Sequence, residues 1–188
     1  GLAFNQISFP DDIRKVSVYF QEKGYYFAEV SNANNDSLVV YDKNGEGVNI
    51  NFALNTGPLV KLNRVIFLGN QRTRKRVLQK KIRLSYGEII TPQKTRDLES
   101  SLSSTGLFNT VNVSPVRHTS SESTTDLVVR MSEREYGLVE VAPGFRSDLG
   151  AKLSGTVSYN NLGGLNRGIS LRGQLNRRLT YQTLDPRR

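Results

Sequence analysis

Residues 98–111, Leu98-Glu99-Ser100-Ser101-Leu102-Ser103-Ser104-Thr105-Gly106-Leu107-Phe108-Asn109-Thr110-Val111, decide the fold. Leu98 and Leu102 stand one helical turn apart, so they share a face. Gly106 suits the left-handed residue that ends a helix. Leu107-Phe108 then opens a strand. Upstream, Thr91 is a natural N-cap and Pro92 fits the first helical position. The same pattern stands 82 residues earlier, where Val16, Phe20, Gly24 and Tyr26 correspond to Leu98, Leu102, Gly106 and Phe108. The spacing predicts a helix over residues 11–23, with Ile13, Val16, Tyr19 and Phe20 on its apolar face. After each copy comes an alternating segment. Val48, Ile50, Phe52 and Leu54 alternate with Asn49, Asn51, Ala53 and Asn55; Leu127, Val129 and Met131 alternate with Val128, Arg130 and Ser132. Period two is the mark of a half-buried strand. The turn-rich residues 32–35 and 119–125 join the paired strands.

The second copy also has a front half. Residues 60–68 form a strand, with Leu62 marking one face and Val65-Ile66-Phe67-Leu68 a buried run. Gly69-Asn70 is a turn, and Thr73 can cap a helix over residues 74–82 that Tyr86-Gly87 breaks. The whole unit is β-α-α-β-β: two helices over one face of a three-stranded sheet. Only ten residues precede the first helix, so the first copy is incomplete and residue 1 is expected to lie inside a larger module. Gly57-Pro58 is the whole linker, a stiff joint. The expected divisions are an incomplete module over 1–57, a complete one over 58–136, and a tail over 137–188.

The tail changes pattern. Ala151, Leu153, Gly155, Val157 and Tyr159 alternate with Lys152, Ser154, Thr156, Ser158 and Asn160; Ile169, Leu171, Gly173 and Leu175 alternate with Ser170, Arg172, Gln174 and Asn176. A strand over residues 138–145 precedes them, followed by a turn at Ser147-Asp148. Strict alternation over nine to ten residues suits transmembrane barrel strands and soluble antiparallel meanders alike. A barrel needs about eight strands, so that reading implies a longer chain.

The 188 residues carry 26 Lys and Arg against 17 Asp and Glu, a net charge of +9. At 37% hydrophobic the chain is too apolar for disorder. No run approaches the ~20 apolar residues of a spanning helix. The absence of cysteine rules out disulfides and thiolate chemistry. The lone His118 beside a Ser/Thr-rich loop reads as a solvated residue. No Gly-x-Ser-x-Gly elbow, metal-ligand spacing or phosphate loop occurs. No enzyme activity, cofactor or metal is expected. Gly45 and Gly47 shape a hairpin turn. Glu133-Arg134-Glu135 is either a solvated strand end or a set of charges paired across a module boundary.

Acids are missing between Glu46 and Glu88, while Arg72, Arg74, Lys75, Arg76, Lys80 and Lys81 all fall there. Arg74, Lys75 and Arg76 stand where a helix begins, and the dipole disfavours cations at that end. The cluster is a solvated face or a contact for an anionic surface: lipid, acidic protein or nucleic acid. The aromatic residues Tyr25, Tyr26 and Phe108 follow helix ends and do not interleave with it, so no nucleic-acid partner is expected.

Five stretches in order resemble the polypeptide-transport-associated (POTRA) modules and first barrel hairpin of the BamA/TamA outer-membrane assembly family. They are Val65-Ile66-Phe67-Leu68-Gly69-Asn70; Leu102 with Gly106-Leu107-Phe108-Asn109-Thr110-Val111; Phe52-Ala53-Leu54-Asn55-Thr56-Gly57-Pro58; Gly144-Phe145-Arg146-Ser147-Asp148-Leu149-Gly150; and Asn160-Asn161-Leu162-Gly163-Gly164-Leu165-Asn166-Arg167-Gly168. The resemblance implies an α+β fold of tandem POTRA modules followed by the first strands of a transmembrane β-barrel. It implies a place in the periplasm and outer membrane, and partners among unfolded outer-membrane protein clients and accessory assembly subunits. In this family the third strand of the module is central and the second lies at the edge. Clients are then expected along Phe27, Ala28, Glu29, Val30 and Ser31, the more open edge because it lacks proline. They are also expected along Thr110, Val111, Asn112, Val113 and Ser114, where Pro115 ends ladder pairing after Ser114. Leu153, Val157, Tyr159, Ile169, Leu171 and Leu175, with Ala151, face lipid, and Lys152, Arg172 and Gln174 face the lumen. An unclosed set of such strands is expected to self-associate or to need an apolar partner. The rival readings are a basic nucleic-acid-binding α+β module and the scaffold of an enzyme whose catalytic domain lies outside these residues.

Overall fold

The computed structural model describes residues 4–35, 37–44, 47–116, 123–146 and 150–177. His118, Gly45 and the Ser147-Asp148 turn lie outside them. Helix α1, Phe9–Glu22, has Pro10 in its first turn with Asp11 and Asp12, which suit the positive end of the helix dipole. It ends before Gly24, whose φ is +100°. Tyr19 is exposed, in contrast to the face its spacing suggested.

The expected strand over residues 48–54 is broken in two. Its first part, β3 (Val48–Ile50), forms a hairpin with β2 (Val39–Tyr41). Its second part, β4 (Leu54–Asn55), pairs with β1 (Glu29–Val30). The Asn32 carboxamide explains the break. It donates to the Asn51 carbonyl at 2.7 Å and accepts the Ala53 N–H at 2.9 Å, in place of a strand.

The second unit follows its expected plan. Strand β5 (Lys61–Leu68) runs parallel to β7 (Thr124–Glu133), and β6 (Phe108–Pro115) runs antiparallel on the other side, so β7 is central. Helix α3 (Pro92–Ser103) is capped by Thr91, whose hydroxyl accepts the Lys94 N–H at 3.3 Å. The core joins Val60, Leu62, Leu78, Ile90, Leu98, Leu102, Leu127 and Val129. Two expectations fail here. Residues 65–68 are half-buried or exposed, because β5 lies at an edge of the sheet. Helix α2 is only Lys75–Gln79, with Arg74 rather than Thr73 at its N-cap. Gly69, at φ +93°, turns the chain where a Cβ would collide with the Met131 carbonyl.

The two units touch across the Gly57-Pro58 link. Val60 N–H donates to the Gly24 carbonyl at 2.9 Å, the Tyr26 hydroxyl lies 3.3 Å from that of Thr95, and Arg96 pairs with Glu22 at 2.8 Å. Tyr26 and Phe27 pack against the second unit's core.

Strands β8 (Gly137–Arg146), β9 (Gly150–Tyr159) and β10 (Ile169–Arg177) form an antiparallel sheet in the order β10-β9-β8. Directly opposed residues share a face. Val139–Val157–Leu171 is therefore one row, and Pro143–Leu153–Leu175 another, of a single apolar face.

Candidate functional site: a sheet edge and the joint beside it

The outer edge of β6 is the first candidate. Val113 and Val129 are directly opposed, and the Val113 N–H points away from β7 to the Glu99 carboxylate of α3 at 2.6 Å. Strand geometry puts Val111 and Pro115 on the same outer side. The edge thus carries a backbone donor at Val111, a capped one at Val113, and none at Pro115. This corrects the expected role of Pro115. Its missing N–H blunts the outer edge, while pairing with β7 continues: Pro115 opposes Leu127, and the Val116 N–H donates to the Asp126 carbonyl at 2.9 Å. Thr110 and Asn112 alternate with these positions toward β7, opposite Ser132 and Arg130, and Ser114 opposes Val128.

The edge expected over residues 27–32 is smaller than its sequence suggested. Only Glu29 and Val30 are strand, and they pair with β4 along one side. Ser31 N–H donates to the Ala53 carbonyl at 2.8 Å, Ala28 is buried, and its carbonyl accepts from the Gln21 side chain at 3.0 Å. Phe27 is drawn inward by the neighbouring core. The longer stretch of edge backbone is that of β6.

The second candidate is the joint between the module and the strand meander, which sequence reasoning missed. Its centre is Thr73, buried in spite of its hydroxyl. Asn161, also buried, donates its side-chain N–H to that hydroxyl at 2.9 Å, and the Tyr136 hydroxyl lies 3.4 Å away. Glu133 accepts the backbone N–H of Thr73 at 2.7 Å and that of Arg72 at 3.0 Å. These are backbone bonds inside the module, so neither expectation for Glu133-Arg134-Glu135 describes them. Burial would raise the Glu133 pKa; hydrogen bonds from Thr73, Arg72 and Tyr136 outweigh it and hold the carboxyl below its ordinary value.

From the meander, a 3-10 turn (Leu162–Gly164) between β9 and β10 enters this joint. The Arg74 N–H donates to the Gly164 carbonyl at 3.1 Å, and a Cβ at Gly164 would collide with the Arg72 carbonyl. Asn161 takes the left-handed conformation, φ 58°, and its side-chain oxygen accepts the Asn166 N–H at 2.9 Å. The asparagine-rich 160–168 stretch was the available signal.

Of the basic cluster, Arg72 and Arg74 touch this joint. Arg72, Arg74, Lys75, Arg76 and Lys80 are exposed and Lys81 is half-buried. Arg64, from the same acid-free window, is instead paired with the buried Asp126 at 2.8 Å. Lys80 and Lys81 line a cavity of about 630 Å³ with Arg83, Lys94, Glu88 and Asp97. Lys94 and the Ser85 N–H hold the Glu88 carboxyl below its ordinary value. In the meander, Leu153, Val157, Tyr159, Ile169, Leu171 and Leu175 share one exposed face with Ala151. Lys152, Arg172 and Gln174 line a cavity of about 240 Å³ on the other, with Glu140 and Thr156. Among the described residues, no group of His, Asp or Glu side chains is placed to hold a metal, and no helix is long and apolar enough to cross a membrane.

Comparison with known proteins agrees with this architecture. Residues 60–134 match the POTRA family, described as a surface antigen variable number repeat. Outer membrane protein assembly factor BamA of Nitratidesulfovibrio vulgaris is 28% identical over 153 residues, 81% of this chain and 19% of that protein. BamA of Neisseria meningitidis serogroup B is 26% identical over 151 residues, 79% of this chain and 18% of that protein. The chain thus spans about a fifth of the length of the curated relatives it matches. The crystal structure of Haemophilus ducreyi BamA lacking POTRA domains 1–3 superposes with a TM-score of 0.76 at 22% identity, covering 94% of this chain and 32% of that one. Haemophilus influenzae BamA POTRA3-5 gives 0.57 at 22% identity over 69% of this chain and 49% of that one. The first superposition extends the shared fold beyond the module into the strand meander. With the module, the joint and the meander in this order, the chain is similar to BamA outer-membrane assembly factors, and its residues 60–134 are the part that matches the POTRA family.

Proposed function

We propose that this chain is the membrane-proximal scaffold of an outer-membrane protein assembly factor, with its module in the periplasm and its strand meander in the outer membrane. The module receives extended segments of unfolded outer-membrane proteins, or of accessory subunits, along the outer edge of β6. A strand added there bonds backbone to backbone and makes little demand on sequence, as a scaffold for many clients requires. The observation that carries this reading is the Glu99–Val113 bond. A side chain, not a strand, holds that N–H, and an incoming carbonyl can replace it. Until then the carboxylate guards the edge against unwanted pairing, the usual hazard of an exposed strand.

Backbone amide shifts of the isotopically labelled chain, titrated with an extended client peptide, test the proposal. Perturbation centred on Val111 and Val113 supports it. Perturbation confined to the exposed face of α3 contradicts it.

A further inference from the structure

We infer that Arg72, Arg74, Lys75 and Arg76 form a contact for anionic phospholipid headgroups, held at the rim of the strand meander by the Thr73 joint. This rests on the proposal that the meander lies in a membrane. The topology sets the direction. Strand β8 starts directly after the buried Tyr136, so the Gly137–Tyr159–Ile169 row is the end of the sheet nearest the module. The β9–β10 connection returns to that same end. Tyr159 closes the apolar face there and is exposed, as is Leu162 in the connection. An aromatic residue at the end of an apolar band suits the level of the headgroups.

At this level the connection packs against the module. Gly164 lies on the Arg72 carbonyl and accepts the Arg74 N–H, while Asn161 holds Thr73 between them. The exposed basic side chains therefore begin where the apolar face stops. Their charge is not neutralised locally: among the described residues none of the four forms an ion pair, whereas Arg14, Lys15, Arg64, Lys94 and Arg96 all do. The neighbouring acid, Glu133, is occupied by backbone N–H groups, and Arg72 lies over the Tyr136 ring at 5.6 Å. Cations at the start of α2 do not help that helix. Beside an apolar band they meet lipid phosphates, an attraction that falls off within a Debye length.

The test is flotation of the whole chain with vesicles of phosphatidylcholine alone, and of an equal mixture with phosphatidylglycerol. Binding to the neutral vesicles reads the meander; the increment on adding the anionic lipid reads the basic contact. Wild type should gain about tenfold or more from the anionic lipid at low salt and lose that gain at high salt. The triple variant Arg74→Glu, Lys75→Glu, Arg76→Glu should keep neutral binding and lose the increment. A control of equal charge change on α1 and its C-cap, Arg14→Glu, Lys15→Glu, Lys23→Glu, should keep most of it. An increment that survives the triple variant, or is lost equally in the control, overturns the inference. So does binding of polyglutamate with no phosphatidylglycerol increment, which would make the partner an acidic protein. Failure to float with neutral vesicles would count against the membrane placement, separately from the increment.

Discussion

The Glu99 carboxylate accepts the backbone N–H of Val113 at 2.6 Å, so a helix side chain closes the middle of the β6 edge. Replacing it should open that edge. Glu99→Ala removes one hydrogen bond, at a cost of about 1 kcal/mol, measurable by chemical denaturation. The same variant should bind extended client peptides more tightly than wild type, because an unpaired N–H is then available. Equal or weaker binding would mean that the bond is only structural.

The joint offers a second prediction. Gly164→Ala places a Cβ against the Arg72 carbonyl at a φ of +74°, so the 3-10 turn must move away from the module. Asn161→Ala removes the Thr73 bond and puts alanine at φ 58°. Each should speed hydrogen exchange at the Arg74 amide, which donates to Gly164, while the amides of β7 exchange as before. Unchanged protection at Arg74 would contradict the joint.

These sites differ in how legible they were. Helix α3 was readable because Thr91, Pro92 and Gly106 are local signals. Thr73 was misread for a related reason. Capping is a local rule, and Thr73 satisfies it on paper, yet its hydroxyl is held by Asn161 and Tyr136, 88 and 63 residues away. The Glu99–Val113 bond needs the rotation of α3 against β6, which no periodicity supplies. Likewise the break at residues 51–53 depends on Asn32 folding back nineteen and twenty-one residues. The meander's faces were readable because period two assigns every residue to a side once the register is known.

Acid should loosen the joint. The Glu133 carboxyl sits below its ordinary value in the folded chain. Its contribution is therefore complete above the unfolded value of about 4.3, and is lost as pH falls through the lower folded value. The Thr73 and Arg72 amide resonances should shift with pH in that acid window. In Glu133→Gln this titration should vanish; its persistence would assign it to another group.

The meander's two faces should respond oppositely to charge. Leu171→Lys puts a cation in the middle of the apolar face, a cost of about 2–4 kcal/mol if that face meets lipid. Gln174→Lys puts the same charge on the polar face and should change little. Partitioning of the folded chain into vesicles compares them. Equal behaviour of the two variants would return these strands to water.

Client addition at the β6 edge is tested most directly by cysteine crosslinking, for which the cysteine-free chain gives a clean background. Single cysteines at Asn109, Thr110 and Asn112, and on the exposed face of α3 at Arg96 and Ser100, are paired with single cysteines along an extended client peptide. The account predicts crosslinks along β6 with a two-residue alternation in the peptide. Glu99→Ala should strengthen them. Val111→Pro should abolish them, because it removes an outward N–H at an edge where proline is tolerated. Crosslinks concentrated on α3, or indifferent to Val111→Pro, would contradict the account.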